Sequence, residues 1–207
     1  KRKGGATCYA IAGENRYHSI FGGMCMGGSA CQHACPAGTD IAGYMAKIRE
    51  GDWDGAARIF LEYNPMPMMT SRICPHLCTG ECNQKVYGES VNIPAVERTL
   101  GDYILAHKER FYAAPVQESG KRAAVIGAGP GGLTAAYYLR RAGVSVTVYD
   151  EHEKAGGVLT YGIPHYRLPK TIVDSYVQAL EKMGVRFVLN TTVGRDIALE
   201  EIHEQND

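Results

Sequence analysis

Residues 122–150 read RAAVIGAGPGGLTAAYYLRRAGVSVTVYD. A short apolar run, a glycine turn, an alanine-rich amphipathic stretch and a second β-branched run follow one another without a gap. That order predicts a strand, a tight turn, a helix and a parallel second strand, the βαβ unit of a doubly wound sheet. Within it, Gly127, Gly129 and Gly132 make G-x-G-x-x-G. The first glycine permits the tight turn, the second lets the backbone approach a pyrophosphate, and the third allows close helix–strand packing. Pro130 and Gly131 complete the turn, and the helix that follows offers N–H groups and a positive dipole end to phosphates. The second strand ends at Asp150, an acid placed to bind a ribose hydroxyl. This pattern alone leaves FAD and NAD both open as the dinucleotide.

Downstream lies a stretch rich in glycine and proline, then a helix over about 170–183 and a strand at RFVLN. Upstream, AAPVQESGK near 113–120 reads as a linker. Before the linker the character changes. Three helices are predicted there: one capped by Thr39 or Asp40, with Ile41, Tyr44, Met45 and Ile48 at helical spacing; one from Trp53 to Pro65; and one after Asn92. Trp53 is expected in the core, with Met24, Met66, Met68 and Met69 as packing residues. Residues 1–38 and 65–91 read as irregular. The expected class is therefore α plus α/β. A helical cysteine-rich domain occupies 1–112, the linker 113–120, and the beginning of a doubly wound domain 121–207.

All seven cysteines precede residue 83. The first group is CMGGSACQHACP, with Cys25, Cys31 and Cys35; the second is CPHLCTGEC, with Cys74, Cys78 and Cys82; Cys8 stands apart. An odd count fits a full disulfide set poorly. Zinc sites favour C-x2-C knuckles, whereas CQHACP has the C-x3-C-P ending of a two-cluster ferredoxin run, in which the cysteine before proline serves the other cluster. Iron–sulfur ligation is the leading reading, with zinc and free thiols as rivals. His33 and His76, among the cysteines, are expected to hydrogen-bond to ligands rather than bind metal. On the third helix Ile93, Glu97, Leu100 and Ile104 share one face, and a carboxylate on an apolar stripe must be paired or coordinate something.

The charge balance, 22 basic against 22 acidic residues, gives no field for nucleic acid, and no apolar run reaches membrane-span length. With no secretion signal, the cysteine usage points to a cytoplasmic protein. The start at Lys1 rather than methionine, and the stop at EEIHEQND, are read as signs of a partial chain.

Taken together, CQHACP, DIAGYM, CPHLCTGEC, VNIPAVE, AVIGAGPGGLTAAYYLRRAG and AGGVLTYGIPHYRLPK resemble the small subunit of NADPH-dependent glutamate synthase. The same amino-terminal module occurs in dihydropyrimidine dehydrogenase and in NADH-dependent ferredoxin:NADP oxidoreductases. The resemblance covers about residues 25–205. It implies two [4Fe-4S] clusters in the helical domain, FAD on the glycine turn, and an NAD(P)H site beyond residue 207. It implies that Cys35, Cys74, Cys78 and Glu97 hold one cluster. The other takes Cys25, Cys31 and Cys82, and Cys8 is the remaining candidate for its fourth ligand. The family spacing is C-x2-C-x4-C-x3-C-P, from which this chain departs, so the count of eight ligands does not by itself place Cys8. In the flavin loop the resemblance implicates Gly156, Gly157, Val158 and Arg167. His165 and Tyr166 read as loop packing, and Arg140 and Arg141 are expected on a solvated helix face rather than on phosphate. The implied activity is an NAD(P)H-linked oxidoreductase that exchanges electrons with a partner subunit or ferredoxin. The alternatives are a relay or docking subunit without substrate chemistry and a zinc-stapled scaffold.

Overall fold

The computed structural model describes residues 28–207. Cys8, Cys25 and Met24 lie outside the described residues. The chain forms two compact units: the described part of Lys1–Pro67 with Cys74–Leu100, and Met68–Ile73 with Gly101–Asp207.

The first unit is helical. A short α1, Ala30–Ala34, is capped by the Ser29 side chain. Then α2, Ile41–Arg49, starts on Asp40, whose Oδ1 accepts from the Gly43 N–H at 2.9 Å. Gly51 turns the chain in the left-handed region at φ 80°. Asp52 then caps α3, Trp53–Tyr63, through the Gly55 N–H at 2.8 Å. Ile41, Tyr44, Ala56, Ala57, Phe60 and Leu61 are buried, and the Tyr44 and Phe60 rings stack at 5.2 Å. Trp53 is only partly buried, because it opens α3 beside the exposed Gly51–Asp52 turn and the apolar face begins at Ala56.

The stretch 65–91 is not irregular throughout. It holds α4, Pro67–Ile73, the single turn α5, Leu77–Gly80, and a 3-10 turn at Asn83–Val86. Pro67 occupies the first position of α4, where a missing N–H costs nothing. The long helix α6, Ile93–Ala106, follows Asn92, whose Oδ1 accepts from the Ala95 N–H at 3.2 Å.

The second unit carries α7, Lys108–Phe111, and then the parallel sheet. Strand β1, Arg122–Ile126, leads through α8, Pro130–Arg141, to β2, Ser145–Tyr149. A one-turn α9, Val158–Tyr161, and α10, Lys170–Met183, precede β3, Arg186–Val188, and α11, Leu199–Glu204, follows. The strand order is β1-β2-β3 and both pairings are parallel, with Val125 opposite Val148 and Val148 opposite Phe187. This is the expected α/β winding. Asn190, at φ 53°, ends the predicted RFVLN strand early. The core under the sheet takes Leu133, Ala136, Val146, Val148, Val173, Tyr176 and Leu180.

Arg140 corrects an expectation. It is 6% exposed, not on a solvated face. Its Nε donates to the Met183 carbonyl at 2.9 Å and its Nη1 to the Val144 carbonyl at 3.2 Å, while both terminal nitrogens engage Glu118. Three segments therefore meet on one guanidinium, a use for which its five donors suit it. Arg141 is exposed as expected.

Candidate functional site

Cys35, Cys74 and Cys82 lie outside the helices, while Cys31 and Cys78 sit within the short helices α1 and α5. Cys35 caps the end of α1, and its thiol donates to Thr39 Oγ1 at 3.5 Å. Cys31 Sγ sits 3.0 Å from Ser29 Oγ. Cys74 closes the stretch after α4, and the His76 N–H donates to its sulfur at 3.3 Å. Cys78 lies buried in α5, and Cys82 precedes the 3-10 turn. All five described cysteines are free thiols.

Glu97 is buried on α6, on the face it shares with Ile93 and Leu100. Tyr44 Oη donates to its Oε1 at 3.1 Å, and His76 Nε2 stands 3.4 Å from its Oε2. Burial pushes the Glu97 carboxyl above its usual range, against the pull of Tyr44 and His76. Burial pushes the Cys78 thiol to about 11, with the charges of Glu97 and Cys35 adding to the rise. Tyr44 is also driven well up, by burial first and by Glu97 next. Among the described residues no three His, Cys, Asp or Glu groups close on a single ion. A four-iron cubane has a wider ligand shell than one ion, and a set of soft thiols with one carboxylate suits it. The buried His76 Nε2, 3.4 Å from Glu97 and without an aligned hydrogen bond, leaves a polar atom available beside such a group. The residues fit an iron–sulfur group. His33 is exposed.

The glycine turn is built from backbone. Gly127 takes φ 99°, and its N–H donates to the Tyr149 carbonyl at 2.7 Å. A Cβ on Gly132 would stand 1.8 Å from the Gly127 carbonyl oxygen, so only glycine lets α8 start there. A Cβ on Gly157 would stand 2.8 Å from Gly129 Cα, so the loop at 155–163 closes directly onto the turn. Gly127 and Gly131 face open space. Helix α8 begins on Gly129 without a side-chain cap and with Pro130 in its first turn. Open glycines beside an uncapped helix start fit a dinucleotide phosphate.

Asp150 Oδ2 accepts from the Ala128 N–H at 2.6 Å, and Oδ1 accepts from the His152 N–H at 2.9 Å. Burial works to raise its carboxyl, but these bonds and the His152 ring outweigh that and hold it below the usual carboxylate value. The acid thus pins the turn with both oxygens; Oδ1 also meets His152 Nδ1 at 2.9 Å, while Oδ2 keeps a lone pair for a ligand hydroxyl. A cleft of about 250 Å3 opens here, lined by Gly127, Asp150, Glu151, His152, Thr191 and Thr192 among others. It lies outside the carboxyl ends of the strands, where open α/β sheets bind ligands.

Sequence reasoning passed over Lys170. Its ammonium donates to the Leu159 carbonyl at 2.7 Å and to the Ile163 carbonyl, tying off the end of α9. The lysine follows Pro169 at the start of α10, a placement that only the folded loop makes meaningful. Val158 is exposed, as are Arg167, His165 and Tyr166.

Residues 23–109 match the family described as dihydropyrimidine dehydrogenase domain II, 4Fe-4S cluster. Residues 125–185 match an NAD(P)-binding Rossmann-like domain. The glutamate synthase [NADPH] small chain of Bacillus subtilis is 38% identical over 173 residues, covering 84% of this chain and 35% of its own length. The chain is a homologue of the NADPH glutamate synthase small chains. This homologue is also 35% identical, over 86% of its length, to the NADPH-Fe(3+) oxidoreductase subunit beta of Geobacter sulfurreducens, of which it covers 27%. The Escherichia coli small chain is 35% identical, with 87% and 39% covered. The chain spans about a third of the length of the curated relatives it matches. Two matched domains over a helical unit and a parallel sheet make the fold class α plus α/β.

Proposed function

We propose that this chain is the iron–sulfur and flavin-binding part of an NAD(P)H-linked oxidoreductase of the glutamate synthase small-chain type. The observation that carries the reading is the buried Glu97 against the ring of His76, whose N–H donates to Cys74 Sγ, in a region matched by a 4Fe-4S family. Cys35, Cys74, Cys78 and Glu97 would hold one [4Fe-4S] cluster, and Cys31 and Cys82, with Cys25 and Cys8, the second. Gly127, Gly129, Pro130, Gly131, Gly132, Asp150, Gly157, Val158 and Arg167 would hold FAD, and NAD(P)H would bind outside residues 1–207. The two segments, 1–112 and 121–207, would join at 113–120; the two matched domains flank that stretch.

When bound, flavin converts a two-electron hydride into single electrons that the clusters can carry. The chain's own part is positioning. The α8 start orients phosphate, Asp150 fixes the turn, Lys170 holds the loop that closes on Gly129, and the burial of Cys78 and Glu97 keeps water away. The metal thiols must shed protons on loading, and the raised Cys78 makes that step strongly pH-dependent.

Relatives are named as subunits or small chains, which supports a redox partner subunit or ferredoxin as the electron acceptor or donor. No helix among the described residues is long and apolar enough to cross a membrane. A cytoplasmic site is proposed from the free thiols. The subunit naming of the relatives also favours a second reading, a relay or docking subunit without substrate chemistry.

Anaerobic reconstitution with iron, sulfide and flavin tests the assignment. Two clusters and one FAD per chain are expected, with NAD(P)H oxidation by the full-length protein and an artificial acceptor. Complete inactivity despite bound FAD supports the relay. Background iron with two zinc per chain overturns the iron–sulfur reading.

A further inference from the structure

We infer that Tyr44 and His76 are positioning residues for Glu97, which set the orientation and charge of its carboxylate and through it the potential of one cluster. The inference rests on the reading of Glu97 as a cluster ligand. A carboxylate that gives one oxygen to a metal needs a donor for the other, and such outer partners tune the ligand's basicity. Here each oxygen already has its own neighbour: Oε1 the Tyr44 hydroxyl at 3.1 Å, and Oε2 the His76 ring at 3.4 Å.

Both neighbours are held independently of Glu97. Tyr44 is fully buried on α2 and its ring is stacked on Phe60 of α3. His76 lies between Cys74 and Cys78 and stands in the left-handed region, φ 53° and ψ 55°. Outside glycine that conformation is uncommon, and histidine is among the residue types that adopt it, so the turn holds the imidazole at a fixed place between the two cysteines. The same residue gives its N–H to Cys74 Sγ at 3.3 Å. One residue thus touches two proposed ligands of the same cluster, by main chain and by ring. A plain ion pair would serve stability poorly at this depth, since burying charge costs more than apolar packing.

The test uses the full chain reconstituted anaerobically, with iron and sulfide analysis and redox titration followed by electron paramagnetic resonance. Glu97→Ala identifies the signal of its cluster. Tyr44→Phe keeps the stacked ring and loses the donor; His76→Asn keeps a side chain at ease in the left-handed region and loses the imidazole. Each variant is expected to lower the potential and alter the resonance of the Glu97 cluster alone, because a carboxylate with fewer donors gives more charge to iron. Loss of that cluster alone, half the iron, has the same meaning. Unchanged potentials in both variants, or loss of both clusters together, overturn the inference while the Glu97→Ala change stands. If Glu97→Ala alters neither cluster, the ligand assignment itself fails and this inference falls with it.

Discussion

In the helical unit, the groups that would hold a cofactor come from separate segments: Cys35 after α1, Cys74 and Cys78 around α5, Glu97 on α6 and Tyr44 on α2. In the sheet unit they come from one continuous turn, 127–132, and the loop that returns to it at Gly156 and Gly157. The first site is made of side chains: the buried Cys78 and Glu97 with the partly buried Cys35 and Cys74. The second is made largely of backbone, with Asp150 bonded to the turn and the start of α8 left without a side-chain cap. A side-chain site depends on bringing distant residues together. A backbone site depends on having no Cβ.

That contrast can be broken most directly at Cys78. Cys78→Ser is expected to remove one cluster, seen as half the iron, and to leave flavin binding intact. Equal loss of flavin would show that the two sites do not behave separately. Cys8→Ser is expected to remove or convert the other cluster only; two intact clusters would exclude Cys8 as a ligand.

At the glycine turn, Gly132→Ala drives a methyl group into the Gly127 carbonyl. The cost is about 3 kcal/mol, at the upper end for overpacking, with loss of flavin and retention of both clusters. Denaturant titration with absorbance at flavin and cluster wavelengths reads both. A stable, flavin-replete variant would remove the case for a backbone-built site.

Asp150→Ala leaves the Ala128 N–H without its acceptor, at a cost of about 1–3 kcal/mol. The folded carboxyl titrates below its unfolded value, so its stabilisation is full above about pH 4 and fades as pH falls through the lower folded value. The stability gap between wild type and variant should therefore close in acid. A gap independent of pH down to acid unfolding would show that the carboxylate charge plays no part. The smallest effect is expected from Lys182→Ala. Its ion pair with Glu109 is exposed on both sides, and no resolvable shift in unfolding midpoint is expected.

Local signals were legible where one short segment carries all the information. Asp40 and Asn92 announce their helices because a cap needs only a neighbour two or three residues on. The strand–turn–helix of 122–141 is read from period and glycines alone. Helix α4 escaped notice because its prolines look like breakers until Pro67 is seen at the first helical position. Arg140 reads as a surface residue because its partners lie at Glu118, Val144 and Met183, which no periodicity connects.

The sequence by itself determined the winding of β1, α8 and β2, the need for glycine in the turn, and the thiol chemistry of the amino-terminal region. Each follows from residue type and spacing within a few dozen positions. Only the tertiary structure decided that Tyr44 and His76 share the carboxylate of Glu97, that Asp150 secures the turn it faces, and that Lys170 ties off α9. Those are meetings of polar groups distant along the chain. Burial makes each of them matter, because a polar group removed from water must find its partner in the fold.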